Sequence, residues 1–292
     1  MKFLRRNKFN NLKGEGKRIL VTGGASGIGR ETVIELVKRG AEVIFTARDK
    51  SRADELVNEI LNNNKNAKVG YFLCDLESIS SIKEFLNQFI SKYDRLDVLI
   101  NNAGVLPIER SLTKDNHELN RGVNVLAVIL ITERLLPYLK LAKHGRIINL
   151  SSSLHSEGEI DFDDLENERD FDRYKAYGDS KLEVIIYSRV LAKELSGTNI
   201  TVNALHPGVV KTPMTLTSIS KMNPILRFIY KLTLISPRRA AMNEVYLALS
   251  DDLDHVSGEY FNQTEISRPS EKATDEDKND KIISIDRNII SL

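Results

Sequence analysis

The chain has 292 residues, of which 41% are hydrophobic and 28% are charged, and its formal net charge is +1. These values are typical of a globular protein with a large core, and they give no reason to expect nucleic acid or an acidic partner. The single cysteine, Cys74, excludes an internal disulfide framework and fits a reducing compartment. The scattered histidines lack the spacing of metal ligands, so no metal site is expected.

The N-terminal residues 1–15 form a basic arm without the apolar stretch of a secretory signal. A disordered arm is the preferred interpretation, and a weak targeting sequence or a contact with anionic lipid stays open. The longest uncharged apolar run, residues 122–132, is shorter than the roughly 18–20 residues that span a bilayer. We therefore expect a cytoplasmic protein without a transmembrane segment, for which peripheral membrane contact stays open.

The first predicted unit is a strand over residues 17–22, a glycine-rich turn and a helix that ends before Gly40. In this context a turn lets backbone N–H groups approach a pyrophosphate, and the helix N-terminus adds partial positive charge. The first gap in this turn is wider than in the common Gly-x-Gly-x-x-Gly pattern. The predicted dinucleotide-binding residues are Gly23, Ser26, Gly27, Ile28 and Gly29.

The second predicted strand, residues 42–46, ends in Ala47-Arg48-Asp49. An arginine here can hold the 2′-phosphate of NADP with two N–H bonds, whereas an acidic residue would hold the ribose hydroxyls of NAD. Asp49 is the competing candidate, although it could instead cap the helix that begins near Ser51. We therefore predict NADP as the cofactor, with NAD less favoured.

Two further strands, residues 69–74 and 97–100, end in polar or small residues that suit contact with a nucleotide. Those predicted to bind the cofactor are Asp75, Leu76, Asn102, Ala103 and Gly104. A simple turn is the alternative for the second set. The following helix, residues 118–141, places Asn124 inside an apolar stretch, where its amide needs partners; a catalytic role and a structural cap both stay open.

The fifth strand, residues 145–150, leads into three serines, and a later helix carries Tyr177 and Lys181. Residues four apart on a helix lie on one face. An ammonium beside a phenol favours the phenolate and lowers its pKa from about 10 towards working pH. The pair is therefore predicted to act as an acid/base unit.

The C-terminal part begins with a sixth strand over residues 199–205, a helix over 238–250 and a short strand over 257–261. The apolar segment 213–237 between them is interpreted as a lipophilic lid, an amphipathic helix at a bilayer surface or a packed core helix. Residues 263–292 are interpreted as a polar, loosely held tail. The fold prediction is α/β: a single Rossmann-like, doubly wound parallel sheet of about seven strands, with helices on both faces and one domain over residues 16–262.

These motifs, in this order, resemble the classical short-chain dehydrogenase/reductase family. Within it the chain is most similar to the retinol-dehydrogenase-like branch. The residues that carry the likeness are Thr22-Gly23-x3-Gly27-x-Gly29, Ala47-Arg48-Asp49, Asp75, Asn101-Asn102-Ala103-Gly104, Asn124, Ser152, Tyr177-x3-Lys181 and Pro207-Gly208-x3-Thr212. The hydrophobic N-terminal anchor that many members of the branch carry is not present in this sequence.

The resemblance implies four catalytic residues. Tyr177 exchanges a proton with the substrate oxygen, and Lys181 tunes Tyr177 and bonds to the nicotinamide ribose. Ser152, which aligns better than Ser151 or Ser153, holds the substrate oxygen, and Asn124 supports a water that leads protons towards Lys181. It also implies that Tyr177 and Lys181 contact the cofactor, that Asp75 lies near the adenine, and that the nicotinamide end is held by Pro207, Gly208, Val210 and Thr212.

The predicted function is therefore an NADP-dependent oxidoreductase that interconverts a lipophilic alcohol and its aldehyde or ketone. Two alternatives stay open. Residues 175–181 also resemble protochlorophyllide reductases, which implies an NADPH-dependent reductase of a tetrapyrrole pigment, and a non-catalytic dinucleotide-binding regulator would belong to a different class. The expected partner is a small lipophilic substrate and not nucleic acid, and a homodimer stays open.

Overall fold

Eight strands form one sheet in the part of the chain that the computed structural model describes, residues 8–211 and 234–290. In chain order they are β1 (Arg18–Val21), β2 (Glu42–Ala47), β3 (Val69–Leu73), β4 (Val98–Asn101), β5 (Gly145–Leu150), β6 (Ile200–His206), β7 (Tyr260–Asn262) and β8 (Glu265–Ser267). Their order in the sheet is β3-β2-β1-β4-β5-β6-β7-β8. All neighbours are parallel except β7 and β8, which are antiparallel.

Helices cover both faces of this sheet. In chain order they are α1 (Gly27–Lys38), α2 (Lys50–Asn63), α3 (Ile79–Lys92), α4 (Leu119–Leu139), α5 (Arg173–Glu194), α6 (Pro237–Leu249) and α7 (Glu276–Ile290). One hydrophobic cluster lies under α3, α4, α5 and α7, and a second lies under α1, α2 and α6. The central strands are apolar and buried on both sides because each face of a parallel sheet is covered by helices.

The predicted doubly wound fold is confirmed, with one strand more than the expected seven. The additional strand, β8, adds to the sheet edge by pairing with β7. Chain order reverses at β1, whose neighbours are β2 and β4. At such a switch point the loops at the carboxyl ends of the strands diverge and leave a crevice in which α/β sheets bind ligands.

The helix α4 contains a π-helical turn, Gly122–Leu126, which includes Asn124. The helix α4 is long and apolar enough to cross a membrane. However, 72% of its apolar stretch is buried inside the fold. Its apolar residues belong to the core cluster beneath the sheet, beside α3 and α5. Packing within the fold is therefore sufficient to explain the composition of α4.

The expectation of a loosely held tail after residue 262 is wrong. Beyond β8 the chain forms α7, in which Ile282, Ile283 and Ile290 are at most 1% exposed and join the core under α4 and α5. Although the segment is polar overall, its apolar residues recur at helical spacing, so one face of α7 buries them.

The basic arm is also packed where the structure describes it, so the disordered interpretation does not hold for residues 8–15. Leu12 is buried against the core, and the Gly14 amide donates to the carbonyl of Arg39 at 2.9 Å. The Lys8 ammonium lies 2.9 Å from a carboxylate oxygen of Glu265 on β8. Residues 1–7 and most of the apolar segment 213–237 lie outside the described residues.

Candidate active site

The glycine turn is a backbone cradle at the carboxyl end of β1. Gly23 and Gly27 have positive φ angles of 67° and 56°, which favour glycine. A Cβ on Gly29 would lie 2.5 Å from the carbonyl oxygen of Gly23, so no larger residue fits without movement of the turn. Among the described residues the Ser26 side chain has no partner as a helix cap, which leaves the first N–H groups of α1 free for an anion.

The end of β4 is tied to this cradle by side-chain hydrogen bonds. The amide nitrogen of Asn102 donates to the carbonyl of Thr22 at 2.8 Å, and the backbone N–H of Ala103 donates to the Thr22 hydroxyl at 3.1 Å. The Asn102 side chain therefore holds the glycine turn in place. Ala103 and Gly104 lie beside Gly23 in the same cleft.

A cleft of about 340 Å³ extends from the glycine turn to the tips of β2 and β3. Of the predicted cofactor residues it is lined by Gly23, Ser26, Arg48, Asp75, Leu76, Ala103 and Gly104. Arg52, which is not among the predicted cofactor residues, also lines this cleft. Its position four residues after Arg48, in the first turn of α2, is a signal that could have identified it.

The charges at this end are largely exposed. The Arg48 guanidinium is 72% exposed and bonds to Glu77 at 2.7 Å. Asp49 accepts a hydrogen bond from the Arg52 amide at 3.2 Å, so it caps α2, the second of the two roles considered for it. Partial burial tends to raise the pKa of Asp75, but the Lys114 ammonium, 2.7 Å away, and the Glu77 amide outweigh it and lower the pKa.

Asn124 projects from the π-helical turn of α4 with each of its amide atoms bonded. Its oxygen accepts from the Val105 N–H at 2.9 Å, and its nitrogen donates to the Val105 carbonyl at 3.1 Å and to the Ser180 hydroxyl at 3.0 Å. A π-helical turn redirects a side chain within an otherwise regular helix, and such turns are frequent at functional sites. A Cβ on Gly104 would lie 3.2 Å from the Asn124 oxygen and 3.4 Å from Lys181 Nζ, so these groups converge on one point.

Lys181 is buried, with 4% of its surface exposed. Its ammonium donates to the Leu150 carbonyl at 2.9 Å and lies 5.5 Å from the centre of the Tyr177 ring. Burial lowers the pKa of Lys181 to about 8. A single carbonyl partner does not replace the hydration that an ammonium loses on burial, which explains the direction of this shift.

The expected lowering of the tyrosine pKa does not occur in the protein alone. Burial raises the pKa of Tyr177 to about 12, and a hydrogen bond with the Ser152 hydroxyl opposes that shift only in part. A neighbouring cation favours the phenolate, but the desolvation of the phenolate is the larger effect here. Tyr177 is therefore neutral and carries its proton at neutral pH.

The three serines after β5 have different environments. The Ser151 hydroxyl is buried and donates to the Lys181 carbonyl at 2.7 Å. The Ser152 hydroxyl accepts from the Leu154 N–H at 3.2 Å and lies near enough to Tyr177 to act against the rise of its pKa. Of these two, the structure therefore brings Ser152 to the phenol.

The end of β6 lies next to the turn that follows Ser152, because the Ser153 N–H donates to His206. Gly208 has a positive φ of 95°, and the Pro207 carbonyl accepts from the Asn243 amide at 3.1 Å. Val210 is 5% exposed and pairs with Ile235. Thr212, the last residue of the predicted set, lies outside the described residues.

Comparison with known proteins places this geometry in a family. The family model described as short chain dehydrogenase matches residues 17–223. Retinol dehydrogenase 13 of Mus musculus is 38% identical over 271 residues, which cover 90% of this chain and 80% of that protein. The chain belongs to the short-chain dehydrogenase family.

Other relatives agree with this assignment. Retinol dehydrogenase 14 of Homo sapiens is 36% identical over 292 residues, with 95% of this chain and 87% of that protein covered. Among solved structures, a putative short chain dehydrogenase from Pseudomonas syringae superimposes with a TM-score of 0.70 at 26% identity, over 86% of this chain and 95% of its own. The Pseudomonas aeruginosa RhlG/NADP active-site complex gives a TM-score of 0.69 at 25% identity, over 86% and 95% of the two chains.

The resemblance to the retinol-dehydrogenase-like branch is thus confirmed, and the chain is an oxidoreductase that acts on the CH–OH group of its donor. The site suits the nicotinamide dinucleotide that a short-chain dehydrogenase uses. The glycine cradle fits a pyrophosphate, because its backbone leaves no room for a Cβ at Gly29 and presents the N-terminus of α1.

A second cleft of about 590 Å³ lies at the amino ends of β6 and β7, the opposite end of the strands from the glycine turn of this short-chain dehydrogenase. It is lined by residues of α5 and α7 such as Arg189, Lys193 and Asn279. Although it is the larger cleft, none of the candidate catalytic or cofactor residues contributes to its lining. The candidate catalytic and cofactor residues therefore lie at the smaller cleft and around Tyr177, and not at the larger cleft.

Two histidines near Ser152, His155 and His206, are not among the predicted site residues. His206 accepts a hydrogen bond from the Ser153 N–H at its Nδ1, at 3.1 Å, and burial lowers the pKa of His206 to about 4. His155 contacts Ser152 directly. His155 lies in the turn that follows β5, and the fold brings His206, at the end of β6, to the same turn.

Proposed function

We propose that the protein is an NADP-dependent oxidoreductase that interconverts a lipophilic alcohol and its aldehyde or ketone, with Tyr177 as the acid/base. The observation that carries this proposal is the placement of the Tyr177 phenol near the Ser152 hydroxyl, which acts to lower the pKa of Tyr177, with the Lys181 ammonium 5.5 Å from the centre of the Tyr177 ring. Two hydroxyls held together can both bond to one substrate oxygen, as charge stabilisation at a reacting carbonyl requires.

In the direction of reduction, Tyr177 donates its proton to the carbonyl oxygen while Ser152 holds that oxygen. The raised pKa of Tyr177 keeps the phenol protonated at neutral pH, which prepares it to act as an acid. In oxidation Tyr177 removes the proton of the alcohol. The bound nicotinamide supplies or accepts the hydride.

Lys181 and Asn124 support Tyr177. Lys181, whose pKa burial lowers to about 8, can share a proton with its surroundings near neutral pH more readily than an exposed lysine. Asn124 is held in one orientation by Val105 and Ser180, and the second lone pair of its amide oxygen can order a water beside Lys181 without reorganisation. The proposed catalytic set is Asn124, Ser152, Tyr177 and Lys181.

The preference for NADP rests on the two arginines at the tip of β2. Arg48 and Arg52 both line the cleft, and their exposed guanidiniums can close on a 2′-phosphate. The acid that would hold the ribose of NAD, Asp49, is used as the cap of α2. A relative's structure described as an NADP active-site complex supports the same choice.

A lipophilic substrate is supported by the names of the relatives, which are retinol dehydrogenases. These relatives favour neither the tetrapyrrole-pigment reductase nor the non-catalytic regulator. A homodimer, and peripheral membrane contact by a cytoplasmic enzyme, stay predictions.

A carbonyl panel tests the proposal. Retinaldehyde, a long-chain aldehyde, a steroid ketone and a short hydrophilic aldehyde are each assayed with NADPH and then with NADH. We expect turnover of lipophilic members with a lower KM for NADPH than for NADH. Equal or better use of NADH would refute the role of the arginines, and turnover of only the hydrophilic aldehyde would refute the lipophilic substrate.

A further inference from the structure

The segment after β8 reaches the turn that Ser152 caps. This turn, Ser153–Ser156, is a single 3₁₀ turn directly after β5. From the C-terminal segment, the Ser270 backbone N–H donates to His155 Nε2 at 3.0 Å, and the Lys272 ammonium donates to the Gly158 carbonyl at 2.7 Å. Residues 115 positions apart in the chain thus meet beside the candidate catalytic serine.

His155 connects the two segments. Its Nδ1 lies 2.7 Å from the Ser152 carbonyl, its ring centre lies 4.8 Å from that of Tyr260, and 6% of the residue is exposed. A carbonyl oxygen can only accept a hydrogen bond and a backbone N–H can only donate one. His155 must therefore carry its proton on Nδ1 and present a lone pair at Nε2.

The charge state agrees with this assignment, because burial lowers the pKa of His155 and favours the neutral ring. A second proton would place an N–H at Nε2, opposite the N–H of Ser270. The neutral Nδ1–H form is the one that satisfies both neighbours.

The contacts of His155 act on the geometry of Ser152. The Ser152 carbonyl accepts from His155 twice, from the ring Nδ1 and from the backbone N–H at 3.2 Å. This fixes the backbone of Ser152, whose hydroxyl faces Tyr177. The chain just after the turn packs closely against α5 next to Tyr177. A Cβ on Gly158 would lie 2.3 Å from the carbonyl oxygen of Gly178.

We propose that His155 is a positioning residue for Ser152, and that the C-terminal segment holds it in the Nδ1–H form through the backbone N–H of Ser270. The inference rests on the proposed function, because it assigns Ser152 to the substrate oxygen. It makes the segment after β8 a supporting part of the active site.

A substitution at Ser270 can test the role of its backbone N–H, which donates to His155. Its φ of −54° is close to that of proline, so Ser270→Pro removes the N–H without requiring a new backbone angle. The matched control Ser270→Ala keeps the N–H and removes only the hydroxyl, which accepts a 3.4 Å bond from Lys272. We expect kcat to fall about fivefold in Ser270→Pro and to change less than about twofold in Ser270→Ala, with the Kd for NADPH unchanged in both.

Two variants of His155 separate positioning from support of the fold. His155→Asn keeps a donor near the Ser152 carbonyl, whereas His155→Phe keeps a ring against Tyr260 and removes both hydrogen bonds of the imidazole. We expect kcat to fall at least about tenfold in His155→Phe and less in His155→Asn, with NADPH binding intact. Equal losses in the two variants, or a loss of NADPH binding that parallels kcat, would overturn the positioning role.

Nitrogen NMR of the imidazole gives a reading that does not depend on turnover. We expect the Nδ1–H form of His155 in the wild-type protein and a mixture of forms in Ser270→Pro. An Nε2–H form in the wild-type protein would overturn the proposal even if the enzyme is active. Absence of wild-type turnover on the whole carbonyl panel would instead contradict the proposed function, while the NMR reading still decides whether Ser270 sets the form of His155.

Discussion

The two ends of the candidate site are built in different ways. The nucleotide end uses backbone: Gly23, Gly27 and Gly29 lie within one turn and present N–H groups. The catalytic end uses buried side chains from distant parts of the chain, such as Asn124 on α4 and Tyr177 on α5, and a C-terminal segment supports it. We therefore expect substitutions at the nucleotide end to change cofactor binding through the local shape of the turn. Substitutions at the catalytic end should change the chemical step through the positions of protons and through contacts between distant parts of the chain.

The electrostatics differ in the same way. Arg48 at the nucleotide end is 72% exposed, so its interaction with an anion is screened by salt. Lys181 is buried and Tyr177 is half-buried, and desolvation sets the direction of both pKa shifts. We therefore expect cofactor affinity to respond to ionic strength, and the chemical step to respond to the removal of single hydroxyls.

The largest effect is expected at the catalytic end. Tyr177→Phe removes the proton donor and keeps the ring, so kcat should fall by about 10²- to 10⁴-fold. The Kd for NADPH, measured by fluorescence titration, should change little, because the phenol is not part of the glycine cradle. If Tyr177→Phe retains wild-type turnover, Tyr177 is not the acid, and the assignment of the chemical step to the catalytic end is wrong.

The next effect is at the nucleotide end. Gly29→Ala places a methyl group 2.5 Å from both the Gly23 carbonyl oxygen and the Asn102 amide nitrogen, so the turn must shift. We expect the Kd for NADPH to rise about 10- to 100-fold, as for other overpacked sites.

Gly70→Ala on β3 is the matched control for this change, because a Cβ there meets nothing within 4 Å. It should leave the Kd unchanged. Equal Kd values for Gly29→Ala and the wild type would show that the turn does not cradle the cofactor.

A smaller, salt-dependent effect is expected from the exposed arginines. Arg48→Ala and Arg52→Ala should each raise the KM for NADPH by about tenfold or less and leave that for NADH nearly unchanged, because only NADPH carries the 2′-phosphate. The difference from the wild type should shrink as ionic strength rises. Parallel changes for both cofactors would place the arginines away from the phosphate.

The smallest effect concerns stability. Glu244 on α6 is buried against α1, where the Thr32 hydroxyl donates to it at 2.8 Å, and burial raises the pKa of Glu244 to about 8. Its folded pKa lies above the unfolded value of 4.5, so its contribution to stability is fully present below about pH 4.5 and is lost as pH rises through about 8.

Glu244→Gln cannot ionise and should remove this part of the pH dependence. Its Tm relative to the wild type should therefore increase between pH 4.5 and pH 8, as measured by thermal unfolding. A Tm difference that does not change with pH would indicate that Glu244 is ionised in the folded protein.

Local patterns in the sequence were sufficient to predict the sheet, the glycine turn and the residues at the strand tips. Burial periodicity and the turn after β1 depend on neighbours within a few positions, and the helical spacing of Tyr177 and Lys181 places both on one face. These features determine the family-level function because binding at the carboxyl ends of parallel strands follows from the fold.

Only the tertiary structure decided the direction of the Tyr177 pKa, the packing of α7, the location of Arg52 in the cleft and the contact of Ser270 with His155. Each depends on what lies within a few ångströms in space but far away in the chain. Desolvation in particular has no local sequence signal, because it is set by every segment that excludes water from a group. The sequence thus determines which titratable side chains are present. The fold determines which of them lie close together and how strongly burial shifts their pKa values.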